Sequence, residues 1–247
     1  MTALDLLMNA HDLGVKVVQY ADNLALDRLS TAELDTLLKS AAKLGIALEL
    51  GMRGIAGERL LHYLALAQQA GSPFVRIVFD TATHHPDETE IVESLRKVIP
   101  DFERSKVQLA IENHDRFPVK TLARIVDQIG SDSIGFCLDT VNSFGALEGP
   151  DVVLAALGDR VINLHVKDFR VSRVSHMMGF VVEGTPAGQG QLNVPWLIGE
   201  LTARGRSPNA ILELWTPPDA VLKDTIQKEA RWAEESIQYL RRLIPVQ

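Results

Sequence analysis

The sequence contains a single cysteine, Cys137, among 247 residues. One thiol cannot form a disulfide within the chain, which excludes the small disulfide-stapled folds of secreted proteins and is typical of a reducing compartment. No stretch of about 20 apolar residues is present, and the N-terminus has no basic segment followed by an apolar run. We therefore expect a soluble cytoplasmic protein that has no membrane partner.

The chain also has fewer positively charged residues than negatively charged ones. The chain has 25 lysines and arginines against 32 aspartates and glutamates, which gives a formal net charge of −7. Proteins that coat nucleic acids normally carry an excess of positive charge on one face, so this balance predicts no nucleic-acid partner.

Short apolar segments alternate with amphipathic helical segments along the whole chain. Strands that alternate with helices form parallel βαβ units, and nearly continuous apolar runs indicate strands covered on both faces. The seven predicted strands cover residues 15–20, 46–50, 74–79, 107–112, 134–138, 161–166 and 209–214. This pattern predicts one α/β domain over residues 1–247, a (β/α)8 TIM barrel that begins with a helix and lacks its first strand.

Several helix ends can be read from the residues. Ser30-Thr-Ala-Glu33 is a capping box that starts a helix, and Gly45 is expected to end it. Pro100 is expected to close the helix that starts at Asp87.

Four of the predicted strands end in a side chain that can bind a metal ion, namely Glu112, Asp139, His165 and Glu213. One such residue alone is more often a surface or salt-bridged group, but reacting groups in parallel barrels lie at the C-terminal strand ends. We therefore expect the four side chains to share one metal site. Three carboxylates and one imidazole favour Mn²⁺, Mg²⁺ or Co²⁺, although Zn²⁺ is compatible with the set.

Side chains near these predicted ligands are candidates for substrate binding. Residues two apart on a strand share a face, so His114 and Lys167 are expected to line the same cavity as the ligands. The full set of candidates is His114, Asn142, Lys167, Arg173, His176, Trp215 and Glu49. For Glu49, which ends the second strand, a salt-bridged role is equally compatible with the sequence.

The segment over residues 169–192 is long for a connection within a compact barrel. Its Met-Met-Gly-Phe content argues against disorder, so the segment is predicted to form a lid over the site. Arg173 and His176 are its predicted substrate contacts.

The strand ends carry a set of short motifs: Ile111-Glu-Asn-His114, Leu138-Asp-Thr-Val-Asn142, Leu164-His-Val-Lys-Asp168, Gly188-Gln-Gly190 and Leu212-Glu213. Together these motifs resemble those of the xylose isomerase-like TIM-barrel superfamily, which holds sugar isomerases and epimerases as well as the endonuclease IV type of DNA-repair enzyme. The resemblance implies that Glu112, Asp139, His165 and Glu213 are the metal ligands. In the ketose 3-epimerases of the superfamily the two glutamates also move protons, which implies catalytic roles for Glu112 and Glu213. Asn142 departs from that pattern, because those epimerases often have a histidine there.

These observations favour a divalent-metal-dependent sugar isomerase or epimerase that abstracts a proton alpha to a carbonyl through a metal-stabilised enediolate. A lyase or dehydratase acting on an oxidised sugar would start from the same proton abstraction and stays open. An endonuclease IV-like activity is disfavoured by the acidic charge, and by Glu49 and Asp80, which end strands where that type has histidine ligands. A sugar-binding protein without turnover is the non-enzymatic alternative. The open edge left by the absent strand would favour a homodimer.

Overall fold

A computed structural model of the chain describes residues 1–244, so the last three residues of the predicted domain lie outside the described part. The strands are β1 (Val17–Tyr20), β2 (Ala47–Arg53), β3 (Phe74–Val78), β4 (Gln108–Glu112), β5 (Ile134–Asp139), β6 (Val161–Val166), β7 (Asp168–Arg173), β8 (Phe180–Thr185) and β9 (Ala210–Leu212). Seven of them pair in parallel in the order β1-β2-β3-β4-β5-β6-β9. The predicted TIM barrel with seven strands and an initial helix is confirmed.

The helices surround this sheet. They are α1 (Ala3–Asp12), α2 (Thr31–Leu44), α3 (Gly57–Ala70), α4 (Glu88–Ser105), α5 (Val119–Ile129), α6 (Pro150–Leu157), α7 (Val194–Ala203) and α8 (Leu222–Leu240). The Ser30 capping box is formed, and Gly45 ends α2 with a left-handed φ of 63°. Every residue of β3 and β5 is buried, as expected for strands covered on both faces. Across residues 1–244, none of these helices has the length and apolar character that a bilayer crossing requires.

The prediction that Pro100 closes its helix was wrong, because α4 continues through Pro100 to Ser105. A proline inside a helix removes one backbone hydrogen bond and costs about 3 kcal/mol. The added residues bury Phe102 completely, which contributes about 1.5–3 kcal/mol. Burial of the extended apolar face thus offsets most of the cost of the proline.

The predicted lid segment contains a second, two-stranded sheet. β7 and β8 pair antiparallel from Asp168↔Thr185 to Arg173↔Phe180. At the base of this hairpin the carboxylate of Asp168 accepts hydrogen bonds from the backbone N–H groups of Gly188, Gly190 and Leu192. The segment is therefore an anchored hairpin rather than an irregular loop.

Where the first strand is absent, β1 and β9 are the two ends of the sheet order. Side chains connect the strands on the two sides of the junction between β1 and β9, which is called the seam below. Asn209 donates from Nδ2 to Glu49 Oε1 over 2.7 Å, and Gln19 Oε1 lies 2.8 Å from His165 Nε2. Polar groups inside the barrel therefore connect strands that share no backbone ladder.

Candidate metal centre

Four neighbouring strands bring Glu112, Asp139, His165 and Glu213 together at one end of the barrel. Glu112 ends β4, Asp139 ends β5, His165 lies in β6 and Glu213 directly follows β9. His165 Nδ1 lies 3.1 Å from Glu213 Oε1, 3.6 Å from Glu112 Oε2 and 3.9 Å from Asp139 Oδ2. The four side chains that the sequence placed at separate strand ends thus form one cluster around this nitrogen.

Hydrogen bonds hold one side of each buried ligand, and the other side faces the charged groups of the cluster. Glu112 Oε1 accepts from Asn142 Nδ2 over 2.7 Å, and Asp139 Oδ1 accepts from two backbone N–H groups of the following loop. His165 Nε2 is engaged by Gln19. Within residues 1–244, the remaining atoms, Glu112 Oε2, Asp139 Oδ2 and His165 Nδ1, make no hydrogen bond of good geometry. Ion pairs with Arg76 and Lys167 are the contacts of the two carboxylate oxygens.

These three atoms fit a divalent cation. A buried polar atom without a hydrogen bond costs about 1–3 kcal/mol, so a cation bound among the three would stabilise them. Asp139, His165 and Glu213 each offer a ligand atom, and these atoms all lie within 4.8 Å of one another. An oxygen-rich set with one imidazole nitrogen suits Mn²⁺, Mg²⁺ or Co²⁺. The residues present can therefore hold the metal that the sequence predicts.

The ammonium group of Lys167 lies between two of these carboxylates. Its Nζ is 2.9 Å from Asp139 Oδ2 and 2.7 Å from Glu213 Oε2, and it donates to Asn142 Oδ1 over 3.1 Å. Burial alone would lower the pKa of Lys167, but Asp139 and Glu213 outweigh burial and hold it above its ordinary value. Burial would likewise raise the pKa of Glu213, but His165 and Lys167 hold it well below its ordinary value. Lys167 is therefore protonated and Glu213 ionised at neutral pH.

Arg76 is a second buried cation, which the sequence pattern did not identify as a site residue. It lies in the middle of β3 and is 5% exposed. Its Nε is 3.1 Å from Glu112 Oε2, and its guanidinium lies 3.7 Å from Asp22 Oδ1. The signal in the sequence is a charged residue inside an otherwise apolar strand, since arginine is rarely buried unless it is paired.

A layer of polar side chains lies deeper in the barrel than the four ligands. Glu49 is fully buried there, and its carboxylate accepts hydrogen bonds from Asn209 Nδ2, Gln19 Nε2 and Asn163 Nδ2. Burial raises the pKa of Glu49, and these hydrogen bonds offset only part of the increase. Cys137 lies in the same layer, where burial raises the pKa of its thiol to about 11. The prediction that Glu49 ends the second strand was wrong, because β2 continues to Arg53 and Glu49 lies within it, against interior amides. Its role in substrate binding stays a prediction.

Two other predicted substrate contacts lie around the rim. His114 is about a third exposed, contacts Asp115 and lines a small cavity that also reaches Glu112. Trp215 donates from Nε1 to the backbone oxygen of Asp168 over 3.1 Å, so it packs at the base of the hairpin.

The remaining two, Arg173 and His176, make their contacts inside the hairpin itself. The guanidinium of Arg173 lies 4.7 Å from the ring centre of Phe180, and it donates to the backbone oxygen of Met177. His176 accepts from the backbone N–H of Met178. The structure does not bring this pair into contact with the four ligands, and their role in substrate binding stays a prediction.

Comparison with known proteins places the chain among enzymes of related fold. The family model for the xylose isomerase-like TIM barrel matches residues 7–243. A 3-oxo-isoapionate decarboxylase from Pectobacterium atrosepticum is 37% identical over 235 residues, which cover 95% of this chain and 86% of that protein.

Solved structures share the fold over nearly the whole chain. A xylose isomerase-like TIM barrel protein from Mycobacterium smegmatis, in complex with magnesium, has a TM-score of 0.77 at 16% identity, covering 98% of this chain and 87% of that one. The D-psicose 3-epimerase of Clostridium cellulolyticum H10, with D-tagatose, has a TM-score of 0.75 at 15% identity, covering 98% and 93%. At such identities the similarity demonstrates a common fold alone.

Proposed function

Because the chain belongs to the xylose isomerase-like TIM barrel family, we propose that it is a divalent-metal-dependent decarboxylase of a 3-oxo sugar acid. The observation that carries this proposal is the 37% identity to 3-oxo-isoapionate decarboxylase, which extends over 95% of the chain and so includes every strand of the barrel. The substrate class is 3-oxo-isoapionate or an acid with the same 3-oxo carboxylate unit.

The charges of the site suit an anionic substrate. Glu112, Asp139 and Glu213 supply three carboxylates, and Arg76 and Lys167 supply two cations. These five side chains carry a net charge of −1, so a bound divalent ion would make the cluster net positive. A carboxylate-bearing sugar is attracted to such a site, whereas a neutral ketose gains nothing from it.

The chemistry requires a place for negative charge and one proton. The bond between the carboxylate carbon and C2 breaks, its electron pair forms an enolate with the 3-oxo group, and CO₂ leaves. A divalent ion, if held by the four ligands, would supply Lewis-acid stabilisation of the charge that develops on the 3-oxo oxygen. Protonation of C2 then yields the ketone.

Lys167 is placed to bind the substrate and to keep a proton at the site. Its Nζ is partly buried beside Asp139 and Glu213, and it stays protonated at neutral pH. An ammonium group in this position can hold an oxygen of the substrate carboxylate until CO₂ departs. Decarboxylation needs no base to remove a carbon-bound proton, so the ion pairing of Glu112 with Arg76 does not impede it.

The test is to incubate the Mn²⁺-loaded protein with 3-oxo-isoapionate in D₂O. We expect release of CO₂ and one deuterium at the carbon that carried the carboxylate. Chelation with EDTA and the variant Asp139→Asn should both abolish the release. A folded, metal-loaded protein that releases no CO₂ from this acid or from other 3-oxo sugar acids would overturn the proposal.

Isomerisation or epimerisation of a sugar is the second candidate, and the placement of two glutamates favours it. Glu112 and Glu213 approach His165 Nδ1 from different strands, at 3.6 and 3.1 Å, as a base and an acid on two sides of a bound ketose would. This activity would introduce solvent deuterium into a ketose without loss of CO₂, so the same experiment with a panel of ketoses distinguishes the two.

A further inference from the structure

The ring of His165 is held on its Nε2 side by the side-chain amide of Gln19, and other hydrogen bonds fix the orientation of that amide. Gln19 Oε1 lies 2.8 Å from His165 Nε2. Gln19 Nε2 donates to Glu49 Oε2 over 3.2 Å and to Asn163 Oδ1 over 3.1 Å. Gln19 therefore connects the predicted metal ligand to the buried carboxylate of the interior layer.

The donors and acceptors of this layer allow one arrangement. Glu49 accepts hydrogen bonds at both carboxylate oxygens, from Asn209 at Oε1 and from Asn163 at Oε2, so the amide nitrogen is the atom of Gln19 that faces it. Asn163 donates from Nδ2 to Glu49 Oε2 and to the backbone oxygen of Asn209, so its Oδ1 can only accept, and its donors are Gln19 Nε2 and the Cys137 thiol. With both acceptors on that side, the amide oxygen of Gln19 has to face His165.

This orientation determines which nitrogen of His165 is free. An oxygen of Gln19 can only accept, so His165 has to carry its proton on Nε2. The lone pair of the neutral ring is then on Nδ1, which is the atom surrounded by Glu112, Asp139 and Glu213. Hydrogen bonds of this kind fix the tautomer and ring orientation of metal-bound histidines and strengthen the ligand.

We propose that Gln19 is a positioning residue, held by Glu49 and Asn163, that presents Nδ1 of His165 to a divalent metal. This inference rests on the metal-binding part of the proposed function and not on the reaction. It also gives Glu49 a role from inside the barrel, as the carboxylate that orients Gln19.

A purely structural role would give a different result. Gln19 also connects β1 with β6 across the seam, so its loss could lower stability without any effect on the metal. Tyr20 provides the matched control, because it lies next to Gln19 on β1 and donates a buried hydrogen bond of 2.7 Å to the backbone oxygen of Ala3. Tyr20→Phe removes a buried hydrogen bond from the same strand without touching His165.

The experiment measures Co²⁺ binding to the full chain by visible absorption and by competition with a chelator. We expect Gln19→Met to weaken Co²⁺ binding by about 10- to 100-fold and to change the absorption spectrum of the bound ion. Tyr20→Phe should lower the melting temperature and leave both the dissociation constant and the spectrum unchanged.

A reciprocal swap keeps the inference testable if Gln19→Met does not fold. In the double variant Gln19→Glu, Glu49→Gln, a carboxylate accepts from His165 Nε2, and the new amide at position 49 can donate to it once the amide of Asn163 rotates. We expect this variant to bind Co²⁺ nearly as tightly as the wild type.

Two results would overturn the inference: wild-type affinity and spectrum in a folded Gln19→Met variant, or loss of affinity in a folded swap variant. A wild-type protein that binds no Co²⁺ would instead refute the metal site itself. Binding of Co²⁺ without release of CO₂ would refute only the decarboxylation.

Discussion

Gly51 and Arg76 are paired neighbours on β2 and β3, and the guanidinium of Arg76 occupies the space that a side chain on Gly51 would fill. A Cβ atom on Gly51 would lie 2.9 Å from Arg76 Nε and 3.0 Å from its Cζ. Arg76 extends from there to within 3.1 Å of Glu112 Oε2. The glycine is therefore what allows a buried arginine to reach a predicted metal ligand.

Gly51→Ala should displace Arg76 and destabilise the protein by about 1–3 kcal/mol, because the added methyl overlaps the guanidinium. The measurement is the free energy of unfolding in urea. In the double variant Gly51→Ala, Arg76→Met the methyl has no arginine to displace, so the two losses should not add. Gly199→Ala is the control, since this glycine is inside α7 and no atom beyond its neighbours and the helix backbone lies within 4 Å of the new methyl. Additive losses in the double variant would show that the overlap is not the cause.

Lys167→Met should destabilise the metal-free protein by about 3 kcal/mol, because it leaves the carboxylates of Asp139 and Glu213 without their nearest cation. A bound divalent ion supplies positive charge at the same place, so the loss should be smaller with saturating Mn²⁺ than with EDTA. Urea unfolding under both conditions checks this. The exposed pair Lys39–Asp35 provides the control, where Lys39→Met should cost about 0.5 kcal/mol or less in either condition. An equal loss for Lys167→Met with and without Mn²⁺ would contradict the shared location.

How much of this site the sequence predicts depends on where each residue lies in its strand. Glu112, Asp139 and Glu213 follow apolar runs at the C-terminal ends of strands. The barrel geometry brings polar residues at these strand ends to one location. Arg76 and Gln19 lie within strands, where the side-chain period alone does not distinguish the interior of the barrel from its outer face. The contacts of Arg76 with Glu112 and of Gln19 with His165 depend on strand register, which only the folded chain provides.

The segment after β6 was harder to predict for a different reason. β7 begins at Asp168, two residues after β6 ends, so only Lys167 separates the last barrel residue of β6 from a separate hairpin. Arg173 and Phe180 face each other across that hairpin, and a pairing between these two positions cannot be recognised without the turn that joins them. The reaction was the other open point, because the isomerase and lyase hypotheses start from the same predicted ligands and the same proton abstraction.

The loss of folding stability at low pH should depend on Asp80. Burial alone would raise the pKa of Asp80, but hydrogen bonds from Arg116 and His85 outweigh burial and hold it below its ordinary value. A carboxyl with a lowered pKa in the folded state contributes stability above its unfolded pKa of about 3.9, and that contribution is lost as the pH falls through the folded pKa. Asp80→Asn should therefore cost about 1 kcal/mol at pH 6 and progressively less below pH 4.

Urea unfolding of the wild type and Asp80→Asn from pH 6 to pH 2 measures this difference. Asp35→Asn is the control for an exposed pair and should stay within about 0.5 kcal/mol of the wild type. A difference between the wild type and Asp80→Asn that grows as the pH falls would have the wrong sign for this linkage.

The β7–β8 hairpin should be less firmly anchored to the barrel when the carboxylate of Asp168 is changed to an amide. Asp168 is 2% exposed and accepts four backbone hydrogen bonds, from Phe169 and Leu192 at Oδ1 and from Gly188 and Gly190 at Oδ2. In Asp168→Asn an NH₂ group replaces one oxygen and faces two of these donors. Each buried N–H left unpaired costs about 1–3 kcal/mol, so we expect lower stability and a more open hairpin base.

Limited digestion with trypsin measures this change as the rate of cleavage after Arg170 and Arg173, which lie on β7. Cleavage of Asp168→Asn at these arginines should be at least several-fold faster than in the wild type, because the base of the hairpin is no longer tied to residues 188–192. Asp219→Asn is the matched control, since Asp219 pairs with Lys228 away from the hairpin and its loss should leave the cleavage rate unchanged. Wild-type resistance in Asp168→Asn would mean that the β7–β8 ladder and the Trp215 contact suffice to hold the hairpin without the carboxylate.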